Sequence, residues 1–572
     1  MNLMGVCIGI VIATMGIPFY FKKIADAHPG VVHHTLKRAG STKEKRLYLD
    51  FNGVIHQCAQ LVKKNGVKAS KFEASLVDAV WAYTLRMVDI VEKALGGELD
   101  MVFLGVDGPA PMAKVVQQRK RRYLSVWEKR LSAGVLRDHG HPDAAEEAMG
   151  GWDSNAITPG TPFMNMLMER LAVLCKSKPR WVLSSSNDAG EGEHKIIDHM
   201  MKHPRGENCI DVVYGLDADL IMLTMLQHGD SGKQGDIVLM RESQQYDRSR
   251  VDKGEFVFVH IPMLYDALMD QLVHVYGWNR DLEHRLIHEY IAMCFLLGND
   301  FVPHLSFLSI GHGGIEVLSR AVGLLHKQGM VLVQCEECEG GGAGNKLQTQ
   351  GLRYVLGSLY TNEGRVLSEQ HNGYMADRFE FRFSHKNPVR SASTYVRMYP
   401  KMYKDKETGA IEYLKSGWQK RYYEVLFGES DSQFVSQCTV GYIHMLQWCV
   451  HYYMNRVYND ELVYTHAHSP TMYDVHNTLV ATACDPPAGV RDKPVSWNSP
   501  AEPELIERRL LLVLPPQSIR SICPDKMRYV QDVRHGMVTV FPYEYKVGTY
   551  MKTWGWECAP LGIHDVPGIS QT

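Results

Sequence analysis

Short β-prone runs that end on acids constrain this chain more than any other feature. Arg46-Leu47-Tyr48-Leu49 runs into Asp50, Met101-Val102-Phe103-Leu104-Gly105-Val106 runs into Asp107, and Ile210-Asp211-Val212-Val213-Tyr214 runs into Gly215-Leu216-Asp217-Ala218-Asp219. Helical stretches lie between them, and this alternation predicts an α/β fold, a mostly parallel sheet flanked by helices. In such sheets the ligand site lies outside the carboxyl ends of the strands, the edge these acids would occupy. Glu191, Glu193 and Asp300 complete the candidate set.

Taken alone, an Asp before Gly, as at Asp107-Gly108, reads as a turn residue. Recurrence changes that reading. Carboxylates gathered on one edge repel each other, and the usual relief is a hard cation such as Mg²⁺, which takes oxygen ligands and is held by a few carboxylates and water. Two such ions about 4 Å apart can activate a water and stabilise the leaving oxygen of a phosphodiester. Phosphate-ester hydrolysis fits, whereas no His/Cys set with zinc spacing accompanies the acids.

A second constellation follows Asp107. In the segment from Ala113 to Arg122, Lys114, Gln118, Arg121 and Arg122 fall at i, i+4, i+7 and i+8, one face of a helix. Alone, this reads equally as a solvated basic helix. Placed directly after an acid-bearing strand, it reads as a pocket for a terminal phosphate, with arginine forks as donors.

Several segments carry a family resemblance: Tyr48-Leu49-Asp50-Phe51-Asn52-Gly53-Val54-Ile55-His56, Asp107-Gly108-Pro109-Ala110-Pro111 with the basic helix, Asp153 to Thr161, Gly190-Glu191-Gly192-Glu193-His194-Lys195, Tyr214 to Leu220, and Leu297-Gly298-Asn299-Asp300-Phe301-Val302-Pro303-His304. In this order they resemble the motif series of the XRN-type 5′→3′ exoribonucleases, and the likeness runs from Met15 to about Asp565. The resemblance implies a PIN/flap-nuclease-like core with a second, mainly helical region packed against it. It implies that Asp50, Asp107, Glu191, Glu193, Asp217, Asp219 and Asp300 hold two Mg²⁺ ions, with Mn²⁺ as a substitute. Lys114, Gln118, Arg121 and Arg122 would bind a 5′-monophosphate, and His56, which by itself reads as a structural histidine, would stack on the 5′ base. The expected reaction is degradation of single-stranded RNA from a 5′-monophosphate, releasing mononucleotides. Two alternatives share some of these features: a flap-type DNA nuclease, and an inactive decay scaffold that holds RNA without cutting it.

At 572 residues the chain can hold two or three domain-sized cores. The expected division is an apolar extension over 1–14, a catalytic region over 15–334, a Gly-rich linker over 335–350 and a bracing region over 351–572. A formal charge of −2 argues against a broad basic surface and suits positive charge concentrated in a channel. Twelve cysteines without regular spacing suit a reducing cytoplasmic or nuclear compartment, and Cys335-x-x-Cys338 reads as incidental. Leu3 to Phe21 carries no charge and precedes Lys22-Lys23, so alone it is compatible with a membrane span. Because Met15-Gly16-Ile17-Pro18 is similar to the family's own N-terminus, the expected start is Met15, with no membrane anchor. A monomer is expected, with a stabilising or decapping protein as partner.

The second half has Trp418 to Tyr423, Leu446-Gln447-Trp448 with Tyr452-Tyr453, Val513 to Ser518 and Phe541-Pro542-Tyr543, which resemble the family's second region; its aromatics read as core. One departure stands out. Where the family has an aromatic-rich stretch with a pocket tryptophan, this chain has Asp460 to Pro470, leaving Tyr464 or His466 as stand-ins opposite His56.

Overall fold

The computed structural model describes residues 20–36, 44–243, 256–338, 342–404, 407–481, 493–494, 497–530 and 540–563. The expected acid-bearing runs are three adjacent strands of one sheet. β1 (Val32–His33), β2 (Glu44–Asp50), β3 (Met101–Gly105), β4 (Trp181–Ser184), β5 (Cys209–Tyr214), β6 (Asp236–Glu242) and β7 (Phe256–His260) are ordered β1-β7-β6-β5-β2-β3-β4. From β6 across to β4 every pairing is parallel, and β7 and β1 close one edge antiparallel. The chain builds outward from β2 through β3 to β4, then returns to the other side of β2 for β5 and β6. The order therefore reverses at β2, and a crevice opens there at the carboxyl ends.

Alternation along the strands feeds two separate cores. Leu47, Leu49, Val102, Leu104 and Val212 face one side and pack with α2 (Phe51–Lys64) and α3 (Ala69–Leu95). Tyr48, Phe103 and Val213 face the other and join a larger core that takes in α7 (Gly192–Lys202), α8 (Ala218–Asp230) and the second half as far as Tyr550. Between these lie α4 (Met112–Asp138), α5 (Pro142–Gly150) and α6 (Pro162–Lys176). Because that second core is continuous across both halves, the mainly helical second region is packed into the sheet rather than tethered to it.

The stretch expected to be a Gly-rich linker has structure. β8 (Val333–Cys338) and β9 (Gly342–Leu347) pair antiparallel, with Val333 opposite Leu347. Leu347 N donates to Gln447 Oε1 at 2.8 Å and Asn345 N to Asn455 Oδ1 at 2.7 Å, so the hairpin is bound to the second half. Glycine content misleads here because these backbone groups find partners far away in sequence. The 1–14 extension and the Met15 start lie outside the described residues, as does most of Leu3 to Phe21. Among the described residues no helix is long and apolar enough to cross a membrane. The nine cysteines whose side chains are described are free thiols.

Candidate metal and nucleic-acid site

Strand register delivers the first acids to one edge. Asp50, the last residue of β2, lies beside Gly105 of β3, and Leu49 lies beside Tyr214 of β5. Asp107 and Asp217 follow those two strands within three residues. Asp217 and Glu191 stand at the N-caps of α8 and α7, and Asp219 and Glu193 fall in the first turns, where exposed N–H groups favour carboxylates. Asp300 comes from a tight turn after the helix Glu283–Phe295. There Asn299 Oδ1 accepts from Phe301 N and Val302 N at 2.9 and 3.0 Å.

Two glycines make the convergence possible. A Cβ on Gly192 would lie 2.7 Å from Gly105 O and 3.0 Å from Asp50 Oδ1, so only glycine lets α7 reach the strand ends. From there Gly192 N donates to Asp107 Oδ1 at 2.7 Å, while Asn52 Nδ2 donates to Asp107 Oδ2 at 2.9 Å. Gly190 has φ +105°, and a Cβ there would sit 2.2 Å from Trp497 Cε3. Lys195 is fully buried and donates to Val106 O and Ser185 O at 2.7 and 2.8 Å, tying α7 to the ends of β3 and β4.

Electrostatics show that the acids share one crevice. Burial pushes Asp50 well above the ordinary carboxyl range, and Asp107, Asp217 and Glu191 add to the rise. Asp217 is pushed to about 7 by burial and Asp300. Glu193 and Asp219 are raised well above normal by burial and then by their acidic neighbours, although Lys114 pulls both down. Lys114 lies among them at 1% exposure, paired with Glu191 and, at 2.7 Å, with Asp300. Burial disfavours its ammonium, but Asp300 and Glu191 outweigh that and hold it charged. Lys195 stands by Asp107, and Arg121 and Arg241 by Asp217, so seven carboxyls still outnumber the cations around them.

Donors from the second half orient individual acids. Tyr452 donates to Glu191 Oε1, and Tyr453 donates to Asp219 Oδ2 at 2.7 Å. Both tyrosines belong to a π-helical turn, His451–Asn455, that ends the helix Ser432–Val450. His194 packs between Tyr452 and Trp497, with ring centroids 4.1 and 5.0 Å away. None of these four was singled out as a site residue from sequence. For His194 the signal was present in the Gly190–Lys195 motif itself; for the others it was not local.

The donor set fits a hard divalent cation. Asp219 Oδ1 is buried without a hydrogen-bond partner, and ligand atoms of Glu191, Glu193 and His194 lie within 4.8 Å of one another. Oxygens dominate, with one imidazole nitrogen added.

The basic face of α4 divides its cations. Lys114 turns into the acids. Arg122 donates to Thr158 Oγ1 at 2.8 and 3.0 Å, held by the Asp153–Thr161 segment, whose Asp153 in turn accepts from Ser518. Arg121 and Arg122 flank His56: burial, then these two guanidiniums, depress its pKa to about 4, leaving a neutral ring. Gln118, half-buried, lies on α4 one turn before Arg122, which donates to its carbonyl oxygen. Arg119, one turn before Arg122, is spent on structure, donating to Ile563 O, Leu512 O and Val540 O.

The departure after the π-turn also has a position. Asp460 accepts from Met112 N at 2.9 Å and pairs with Arg509, capping α4 at its amino end. Tyr464 is 4% exposed with its hydroxyl donated to His468 O, so it belongs to the core; His466 packs on Phe427 and Phe434 at 5.4 and 5.6 Å.

Residues 15–243 match the family described as XRN 5'-3' exonuclease N-terminus, and residues 279–338 match the Xrn1 helical domain. A 5'-3' exoribonuclease 2 of Yarrowia lipolytica is 30% identical over 413 residues, 64% of this chain and 38% of the relative. Its namesake from Eremothecium gossypii is 29% identical over 416 residues, 62% and 42% respectively. That of Saccharomyces cerevisiae is 28% identical over 434 residues, 65% and 41%. The chain thus spans about two-fifths of the length of these curated relatives. With residues 15–243 and 279–338 matched in order, together half of the chain, the chain belongs to the XRN 5′-3′ exonuclease family.

Proposed function

We propose that this protein is a divalent-metal-dependent 5′→3′ exoribonuclease that degrades single-stranded RNA bearing a 5′-monophosphate and releases mononucleotides. One observation supports the reading: seven carboxyls crowd one crevice around the Lys114 ammonium, and Arg121 and Arg122 stand beside it around His56.

In this reading Asp50, Asp107, Glu191, Glu193, Asp217, Asp219 and Asp300 hold the cation, proposed as two Mg²⁺ with Mn²⁺ as a substitute. When bound, it supplies Lewis-acid stabilisation of the scissile phosphate and a nucleophilic water. The chain's own residues do the rest. Arg121 and Arg122, with Gln118 on the same face of α4, receive the terminal phosphate, Lys114, expected there too, stays with Glu191 and Asp300, and the neutral His56 ring offers a stacking face to the first base. Tyr452 and Tyr453 keep Glu191 and Asp219 turned to the crevice, so the first phosphodiester meets a preorganised acid set. The 15–334 and 351–572 regions act as one unit around that crevice. The relatives that the chain resembles, each a 5'-3' exoribonuclease 2, support the same activity.

The test is digestion of one 3′-labelled single-stranded RNA carrying a 5′-hydroxyl, 5′-monophosphate or 5′-triphosphate, with Mg²⁺ or EDTA. Mg²⁺-dependent shortening from the 5′ end of the monophosphate form is expected. Monophosphate-selective binding without cleavage would replace this reading with a scaffold, and cutting confined to branched DNA would replace it with a flap-type nuclease.

A further inference from the structure

The stretch from Asp460 to Pro470 brings two histidines, His466 and His468, to a place that the proposed reaction does not use. Three basic side chains from distant segments meet them there: Lys120 of α4, His304 in the loop after Asp300, and Lys552. All of these, with His466, act electrostatically on His468. Hydrogen bonds and packing hold the segments together. Ser306 N donates to Ser469 Oγ at 2.9 Å, which joins the His304 loop to the His468 stretch, and Tyr442 donates to Pro303 O at 2.9 Å. A Cβ on Gly298 would sit 2.6 Å from His304 N, so only glycine lets that loop fold back so tightly. The His468 ring lies 5.5 Å from the ring of Tyr550, two residues before Lys552. The hairpin that carries Lys552 pairs Val547–Gly548 with Ala559–Pro560, and its second strand packs on α4.

All five side chains are half-buried, so each keeps some surface to solvent, yet burial is the largest influence on Lys120, His304, His466 and His468. Groups that are accessible and strongly desolvated at once line a recess rather than an outer surface. Burial and then Lys552 bring Lys120 down to about 8 and His304 to about 4. His468 falls to about 3 under burial, Lys552, His304, Lys120 and His466, and burial and Lys120 lower His466. No carboxylate acts on Lys120, His304 or His466, and the leading influences on His468 are all basic. Among the described residues neither lysine forms an ion pair, and His304 Nδ1 is buried with no hydrogen-bond partner. Two carboxyls, Glu557 and Glu128, act with Lys552 on Cys558. Glu557 Oε2 accepts from Thr553 N and Trp554 N at 2.7 and 3.0 Å, and burial pushes Glu128 up to about 7. A basic cluster of this kind repels itself as the acids of the crevice do, and an ion of opposite sign relieves it.

We propose that Lys120, His304, His466, His468 and Lys552 form a second anion site that takes a phosphoryl dianion, either inorganic phosphate or the phosphate of a mononucleotide. Two ammoniums match its double charge, and imidazole N–H groups add donors for the remaining oxygens. A phosphodiester within RNA carries a single charge and brings chain on both sides, whereas this recess is walled by rings: Phe427 and Phe434 lie 5.4 and 5.6 Å from His466, and Tyr550 stands beside His468. The site is separate from the terminal-phosphate face of α4. Lys120 is two residues from both Gln118 and Arg122, a spacing that sends its side chain to another side of the helix. None of the five residues takes part in the proposed reaction, so the site stands whether or not RNA is hydrolysed.

The test is equilibrium dialysis of radiolabelled orthophosphate against the EDTA-treated full chain at low ionic strength. Wild type is compared with Lys120→Gln/Lys552→Gln, with Lys552→Gln alone and with Arg121→Ala. Removing an ammonium relieves repulsion, so both lysine variants are expected to melt no lower than wild type in the absence of phosphate; if the double variant does not fold, the single one carries the test. The double variant is expected to bind about one equivalent of phosphate fewer than wild type, and Lys552→Gln to hold that equivalent at least about tenfold more weakly. Arg121→Ala should leave it in place. Displacement of the label by adenosine 5′-monophosphate as well as by orthophosphate assigns the site to a mononucleotide, and displacement by orthophosphate alone assigns it to the inorganic ion; both keep the site. Equal number and affinity in wild type and the lysine variants would overturn it. So would loss of all bound phosphate in Arg121→Ala, or equal displacement by chloride at the same concentration.

Discussion

Residues 50 to 300 provide every carboxylate of the candidate site, whereas residues 452 to 509 provide none of them and yet hold them in place. The first stretch works through position: strand ends and helix N-termini bring acids together by the topology of the sheet. The second works through reach: Tyr452, Tyr453 and Trp497 touch Glu191, Asp219 and His194, and Asp460 with Arg509 caps α4. A repulsive cluster can thus be concentrated by the backbone of one region while its orientation is left to side chains of another.

Removing a carboxylate should cost most. Asp219→Asn is expected to lower RNA hydrolysis by at least about a thousandfold, some 4 kcal/mol of transition-state stabilisation, with RNA binding retained. Single-turnover rates and filter binding check this; turnover near wild type would remove Asp219 from the site. Arg121→Ala should come next, reducing the preference for 5′-monophosphate over 5′-hydroxyl RNA by about tenfold to a hundredfold, the value of a charge-assisted contact. Paired kcat/KM values on the two RNAs measure it.

Tyr453→Phe tests the second region alone. It deletes the donor to Asp219 Oδ2 and leaves the ring in the core, so metal affinity and activity should fall together by about tenfold. A Mg²⁺ titration of activity that is unmoved by the substitution would show that the bracing tyrosines are packing residues only.

The smallest effect is one of pH. Folding raises Asp217 from an ordinary value near 4 to about 7. A carboxyl raised in this way favours the folded state while protonated, and that contribution is lost as pH climbs through the folded value. The EDTA-treated protein should therefore melt a few degrees lower at pH 8 than at pH 5, with Mg²⁺ restoring most of the difference at pH 8. Thermal melts at the two pH values decide it; a metal-free protein more stable at pH 8 would contradict the crowding of acids.

What could be read from sequence follows the same division. The strands and the acids that follow them, Asp50, Asp107, Asp217 and Asp219, were legible because each signal is local, a β-prone run and then an acid, whereas Glu191, Glu193 and Asp300 were read through the family's motifs. The pocket face of α4 was legible as helical spacing, although spacing alone did not separate Lys114, which turns into the acids, from Arg121 and Arg122, which flank His56. Tyr452 and Tyr453 were not legible as site residues, since their bonds to Glu191 and Asp219 span 261 and 234 residues and their aromatic run reads as core. The hairpin over 333–347 was hidden by its glycines for the same reason: its partners, Gln447 and Asn455, lie a hundred residues or more away.

The central claim, that these acids form a divalent-cation site, is tested most directly by isothermal titration of Mg²⁺ and Mn²⁺ into the EDTA-stripped, dialysed protein in two buffers of different ionisation enthalpy. The account predicts saturable binding whose heat depends on the buffer, because raised carboxyls must release protons to the solvent as the ion enters, and loss of that binding in Asp219→Asn. Binding that is absent in the wild-type protein, or that is unchanged in Asp219→Asn, would contradict it.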